Sequence, residues 1–225
     1  VSSDAKYKIP VRDDEGKELG ETSVFVARAD GTTALIVAHG AGGTMDTPSI
    51  RSLQSRLTAE GVTSVRFNFL YRERGKRSPD RQPALLACWR SVADWTKQEI
   101  EPKRLILAGR SMGGRMASYL VADGYPCDAL VFLAYPLHPP GKPDNQRREH
   151  LASIRVPMLF ISGTRDNFAY LDLLEPLVKE LGAELHLVEG GDHGFKVPKK
   201  LGKTPEEIDE EVATRVLEFI RSLAG

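Results

Sequence analysis

Short apolar runs and helix-period patterns take turns along most of this chain. Residues 33 to 38 (Thr-Ala-Leu-Ile-Val-Ala) are apolar almost throughout, the pattern of a strand covered on both faces rather than one. Further runs at 62 to 69, 105 to 109, 127 to 134, 156 to 163 and 183 to 188 predict five more strands. Between them Ile50, Leu53 and Leu57, then Leu85, Trp89, Val92 and Trp95, then Ile208, Val212, Val216 and Ile220 recur at helical spacing. Thr47-Pro48 reads as an N-cap followed by proline at the first helical position, and Gly61 as a stop. Thr204-Pro205-Glu206-Glu207 reads as a capping box opening the last helix. A helix after Asp172, which we expect to cap it, contains Pro176 and is compatible with it only if the proline falls in the first turn. Ahead of this region, residues 5 to 10 and 22 to 28 flank the charged turn Asp13-Asp14-Glu15-Gly16 and predict an antiparallel hairpin at a sheet edge.

Strand and helix alternate from residue 33 onward, which implies an α/β fold: a mostly parallel central sheet with helices on both faces. No repeat, low-complexity stretch or linker interrupts the pattern, and 225 residues suit one core. Residues 1 to 225 are therefore expected to form a single domain.

Composition narrows the function classes. Lysine plus arginine and aspartate plus glutamate each total 31, so no global field favours nucleic acid or an anionic membrane, and neither is expected as a partner. No stretch approaches the length of apolar residues needed to span a bilayer. Cys88 and Cys127 show no metal-ligand spacing and read as buried, reduced side chains. These features predict a cytoplasmic location, with a removed leader left open because the chain begins at Val1.

The chemistry centres on Gly109-Arg110-Ser111-Met112-Gly113, where an apolar run ends and a helical pattern begins. This is the G-x-S-x-G nucleophile-elbow pattern, a strand-to-helix turn that exposes a serine hydroxyl. Side chains two positions either side of the serine would collide with the neighbouring strand and helix, hence the glycines. Of five histidines, only His193 lies in a glycine-rich loop directly after the last strand (Gly190-Gly191-Asp192-His193-Gly194), and it is the candidate base. Asp166, at the end of the strand leading into Gly163-Thr164-Arg165-Asp166, is the candidate acid. Asp192 adjoins the histidine and is expected to structure its loop. His39-Gly40-Ala41-Gly42-Gly43 follows the first central strand, where small residues let backbone amides approach a carbonyl. The amides of Ala41 and Met112 are the candidate oxyanion donors. His39, Gly40, Gly42, Arg110 and His138 are candidate substrate-binding residues, with loop organisation and ion pairing as the alternatives for His39 and Arg110. The basic run Tyr71 to Arg77 reads as a solvated loop, His150 as a surface residue and His186 as a strand residue.

With HGAGG, GRSMGG, SGTRD and GGDHGF in this order, the chain resembles α/β-hydrolase fold proteins over nearly its whole length. Gly109 to Arg115 and Ala134 to Pro143 are similar to a group of small predicted hydrolases related to dienelactone hydrolases, with animal testis-expressed and acetyltransferase-complex relatives. Dienelactone hydrolases proper use cysteine where this chain has Ser111. The resemblance implies a serine hydrolase working through an acyl-enzyme, on a small-molecule ester or acyl substrate, without metal or organic cofactor. Thioesterase, peptidase and non-catalytic scaffold roles remain the alternatives, and the oligomeric state is left open. The connection between the strands at 127 to 134 and 156 to 163 is too short for a large cap domain, which predicts an accessible site near Arg72, His138 and Phe168.

Overall fold

The computed structural model describes residues 4–223. Eight strands form one sheet in the order β1-β2-β4-β3-β5-β6-β7-β8. Strands β1 (Ala5–Arg12) and β2 (Glu18–Ala27) make the antiparallel edge hairpin, and β2 continues antiparallel onto β4 (Thr63–Phe67). From β3 (Thr33–Ala38) through β5 (Arg104–Arg110), β6 (Ala129–Leu133), β7 (Met158–Gly163) and β8 (Glu184–Val188) every pairing is parallel. All these parallel strands therefore end at one edge of the sheet, and the candidate serine, acid and histidine follow β5, β7 and β8 there.

The unbroken apolar runs follow from burial on both sides. In β3, Ala34, Ile36 and Ala38 face one core while Leu35 and Val37 face the other. The first core is closed by α3 (Gln82–Ile100), α4 (Met112–Ala122) and α5 (Leu171–Glu180), the second by α1 (Pro48–Ala59) and α6 (Pro205–Ser222). Each fully buried leucine or isoleucine, on strands and helices alike, contributes roughly 1.5–3 kcal/mol. At α6 the capping box is complete: the Glu207 amide donates to Thr204 Oγ1 (3.2 Å) and the Thr204 amide to Glu207 Oε2 (2.7 Å).

Three local expectations need correction. Pro176 is the sixth residue of α5, beyond its first turn; the helix continues because tertiary burial of Leu174, Leu177 and Val178 outweighs the lost amide bond. Asp172 lies inside that helix and Tyr170 stands at its N-cap, so the carboxylate acts on the helix dipole rather than as a cap. The segment after β4 is more than a solvated loop: Leu70–Glu73 forms a one-turn helix, α2, with Leu70 and Tyr71 buried. Arg72 and Arg74 of that run stay partly or fully exposed, as the charge pattern implies.

Residues 134–157, between β6 and β7, carry only a 3-10 turn at Glu149–Ser153. No large cap domain covers the sheet edge. Cys88 is buried and Cys127 half-buried, both free; burial pushes each thiol up to about 12, so both stay protonated. No helix of the described residues is long and apolar enough to cross a membrane, and among them no cluster of His, Cys, Asp and Glu is placed to hold a metal ion.

Candidate active site

Strand β5 ends at Arg110 and α4 begins at Met112, so Ser111 alone makes the turn, at φ 48° and ψ −115°. Such a conformation in a non-glycine residue costs about 1–3 kcal/mol. It is held on both sides: the Ser111 amide donates to the Leu133 carbonyl (2.9 Å) and the Arg115 amide to the Ser111 carbonyl (3.1 Å). The glycines are obligatory. A Cβ on Gly109 would sit 2.2 Å from the Gly114 nitrogen, and one on Gly113 would sit 2.7 Å from the carbonyl oxygens of both Ala38 and His39.

The loops after β7 and β8 meet backbone to backbone, since a Cβ on Gly163 would lie 2.2 Å from the Gly191 carbonyl oxygen. The Arg165 amide donates to that same carbonyl (2.8 Å), and the Gly190 amide to Thr164 Oγ1 (2.7 Å). This contact brings Asp166 under His193. His193 Nδ1 lies 2.8 Å and 3.0 Å from the two carboxylate oxygens of Asp166, and Nε2 lies 2.9 Å from Ser111 Oγ. A carboxylate only accepts, so Nδ1 carries the proton and Nε2 is free to accept from the serine hydroxyl. The Asp166 side chain is fully buried, and its Oδ1 also accepts from the Phe168 amide (2.8 Å). Phe168 stacks on the imidazole, 4.1 Å between centroids, and fixes the ring plane. Asp192 bonds the amides of Gly194 and Lys196 (2.7 and 2.9 Å), which gives it the loop-structuring place expected of it.

Ala41 and Met112 line the same cleft as Ser111. The Ala41 amide donates to no described group, and Met112, as the first residue of α4, has no intrahelical acceptor for its own. The Ala41 loop is tied down from behind. His39 Nδ1 donates to the Gly40 carbonyl (2.7 Å), Nε2 accepts from the Phe69 amide (3.1 Å), and the Tyr71 hydroxyl donates to the Ala41 carbonyl (2.8 Å). Tyr71 went unrecognised in the sequence because it sits in a run of charges; its burial comes from α2. Gly40 approaches the elbow closely, a Cβ there meeting Ser111 Cβ at 3.5 Å, whereas Gly42 has open space around it.

Three of the candidate substrate contacts are absent from the lining of the cleft. His39 is fully buried, with both ring nitrogens engaged by the backbone, and it organises the loop. His138 is equally buried, bonded to the Pro139 carbonyl (2.9 Å) and the Tyr170 amide (3.2 Å), and does not line the cleft. Arg110 turns away from the serine: its Nη2 donates to the His193 carbonyl (2.8 Å) and its guanidinium lies over the Phe195 ring. It supports the histidine loop. His150, expected at the surface, is half-buried, stacked on Tyr119 at 3.9 Å and bonded to Ser118 Oγ (2.8 Å). Tertiary packing of the 3-10 turn on α4 put it there.

Burial, assisted by the charge of Arg72, lowers the His39 pKa to about 4; burial, assisted by Arg115, lowers that of His150 to about 4. Both rings are neutral in the fold but take up protons near pH 6.5 once unfolded. The unfolded chain thus binds more protons between pH 6.5 and 4, and stability falls as pH drops through that window. For His39 the loss at pH 5 is about 2 kcal/mol. Urea melts at pH 7.5 and 5.0 should show this decline, smaller in His150→Gln; equal stability at the two pH values would contradict it.

The cleft above Ser111 is about 280 Å³, with Pro79, Leu85, Met116, Pro136 and Phe168 among its walls and Arg115, Arg147, Asp80 and Gln82 as polar groups. Of the expected neighbours Phe168 is present. The family model described as an alpha/beta hydrolase domain matches residues 31–221.

The chain belongs to that family.

Solved structures with the same fold include an alpha-beta serine hydrolase homologue from Coxiella burnetii, 21% identical, covering 94% of this chain and 97% of that one with a TM-score of 0.71. Est1E from Butyrivibrio proteoclasticus, with ferulic acid bound, is 18% identical over 95% of this chain and 99% of its own, TM-score 0.73. Dienelactone hydrolase from Anabaena variabilis is 17% identical over 97% and 98%, TM-score 0.70. At these identities the likeness speaks for the fold alone.

Proposed function

We propose that this protein is a serine hydrolase that cleaves small carboxylic esters through an acyl-enzyme. The observation that carries the reading is the unbroken hydrogen-bonded series Ser111, His193, Asp166 beside two unengaged amides. Ser111 Oγ attacks the ester carbonyl carbon while its proton passes to His193 Nε2. Asp166 holds the ring in the required tautomer and stabilises the imidazolium. The amides of Ala41 and Met112 donate to the oxyanion, preorganised by Tyr71, His39 and the start of α4. The imidazolium then protonates the departing alkoxide, the alcohol leaves, and the acyl group remains on Ser111. Water, deprotonated by the same imidazole, attacks the acyl carbon, and collapse of the second tetrahedral species returns the proton to Ser111 and releases the acid.

The family and the esterase neighbours support hydrolysis, and the short connection over the sheet edge favours small or exposed esters. The reading involves no cofactor, nucleic acid or membrane, and the two free protonated thiols suit the cytoplasm. A fluorophosphonate probe is expected to label wild-type protein at Ser111 and to leave Ser111→Ala unlabelled. Absence of label on the wild type would sink the proposal in favour of a scaffold. In a panel of p-nitrophenyl esters, acyl-CoAs and aminoacyl amides, the esters should be turned over best; a dominant thioester or amide activity would reassign the substrate class.

A further inference from the structure

The cleft beside the nucleophile is lined by two guanidiniums, those of Arg115 and Arg147, that form no ion pair among the described residues. Arg115 lies four residues after Ser111 on the first turn of α4, roughly 6 Å along the helix axis, and Arg147 faces the same cleft from the connection between β6 and β7. Among the described residues neither guanidinium has a carboxylate within ion-pair distance, whereas the neighbouring Arg148 pairs with Glu180. The Arg115 Nε is buried with no hydrogen-bond partner among those residues. Burial first, and the charge of Arg115 second, push the Arg147 pKa down, so the two cations sit close enough to repel. Asp80 also lines the cleft, but its nearest cation is Arg74, at 3.8 Å, and one of its oxygens has no partner either. Two close guanidiniums in a partly desolvated cleft, both permanently charged, are unfavourable until an anion joins them.

We propose that Arg115 and Arg147 form an anion subsite that takes a carboxylate of the substrate, so that the ester hydrolysed at Ser111 carries a carboxylate a few atoms from its scissile carbonyl. This rests on the hydrolytic reading above and narrows it to half-esters and similar monoanions. The planar guanidinium presents paired N–H donors that match a carboxylate, and two of them fix both its position and its direction. The wall formed by Leu85, Met116 and Phe168 accommodates the short apolar chain between the carboxylate and the ester.

The test compares kcat/KM for p-nitrophenyl butyrate and mono-p-nitrophenyl glutarate in the wild type, Arg115→Met and Arg147→Gln. It also measures glutarate binding to Ser111→Ala by calorimetry. Wild type should prefer the half-ester by about 10-fold to 100-fold, the range expected of one or two charged hydrogen bonds. Each arginine variant should lower that ratio at least about tenfold. Glutarate should bind Ser111→Ala, more weakly at high salt, and should not bind Ser111→Ala/Arg147→Gln. Arg147→Gln, on a loop outside the helices, decides the question if Arg115→Met does not fold. A ratio near one in the wild type, or one unchanged in the variants, overturns the subsite while leaving ester hydrolysis standing. Arg147-dependent glutarate binding without turnover of either ester keeps the subsite and removes the hydrolytic reading.

Discussion

Ser111→Ala is expected to lower kcat on a p-nitrophenyl ester by about a millionfold, and Asp166→Asn by about ten-thousandfold, with the double variant no slower than Ser111→Ala. In the proposed mechanism the three side chains act in series. Without Oγ no acyl-enzyme can form, so the tautomer of His193 no longer matters. With Asn at 166, the amide group can donate to Nδ1, which leaves the proton on Nε2, the atom that must accept from Ser111 at 2.9 Å. The backbone is untouched, because the Phe168 amide still finds an oxygen at that position. Single-turnover measurement of the acylation rate separates the cases. Additive losses in the double variant would mean that the residues do not work as one unit, and a Ser111→Ala enzyme within tenfold of wild type would place the nucleophile elsewhere.

Gly109→Ala should be among the most destabilising single-methyl additions in the molecule. Its new Cβ would stand 2.2 Å from the Gly114 nitrogen and 2.3 Å from the Gly113 carbonyl carbon, both main-chain atoms of the helix packed against β5. No side chain can rotate out of the way, so α4 must shift from the sheet, carrying Met116, Ala117 and Leu120 out of the core. A loss of more than about 4 kcal/mol is expected, a fall in Tm of at least about 10 °C for a chain of this size. Ser111 also loses its position, so activity disappears together with stability. Gly42→Ala, where no atom lies within 4 Å, is the control and should melt within about 2 °C of wild type. A stable, active Gly109→Ala protein would show that the elbow tolerates a wider approach of helix to strand than these distances allow.

Much of this architecture was legible from residue order. The runs at 33 to 38 and 105 to 109 had to be central strands because they have no polar face, and β3 indeed sends alternate residues into two cores. Ser111, Asp166 and His193 were recognisable because each follows a parallel strand, and topology carries all such ends to one edge. Side-chain direction was less legible. Arg110 lies one residue before the serine and Arg115 four residues after it, yet the first belongs to a strand end and points to the His193 loop, while the second belongs to a helix turn and faces the cleft. Periodicity fixes which element a residue occupies but not the rotation of that element against its neighbours. Tyr71 and His150 were misjudged for a related reason: both sit in polar stretches, and only the packing of a one-turn helix and a 3-10 turn buries them.

The chain's own order of residues thus determined the fold family, the elbow and its two partners, all of which depend on local pattern and strand order. The distances that join them in one hydrogen-bonded series, the anchoring of the Ala41 loop by Tyr71 and His39, and the placing of Arg115 and Arg147 in one cleft with no ion pair among the described residues were decided by tertiary packing. They arise where segments far apart in sequence come into contact, and no local pattern encodes the angle at which such segments meet.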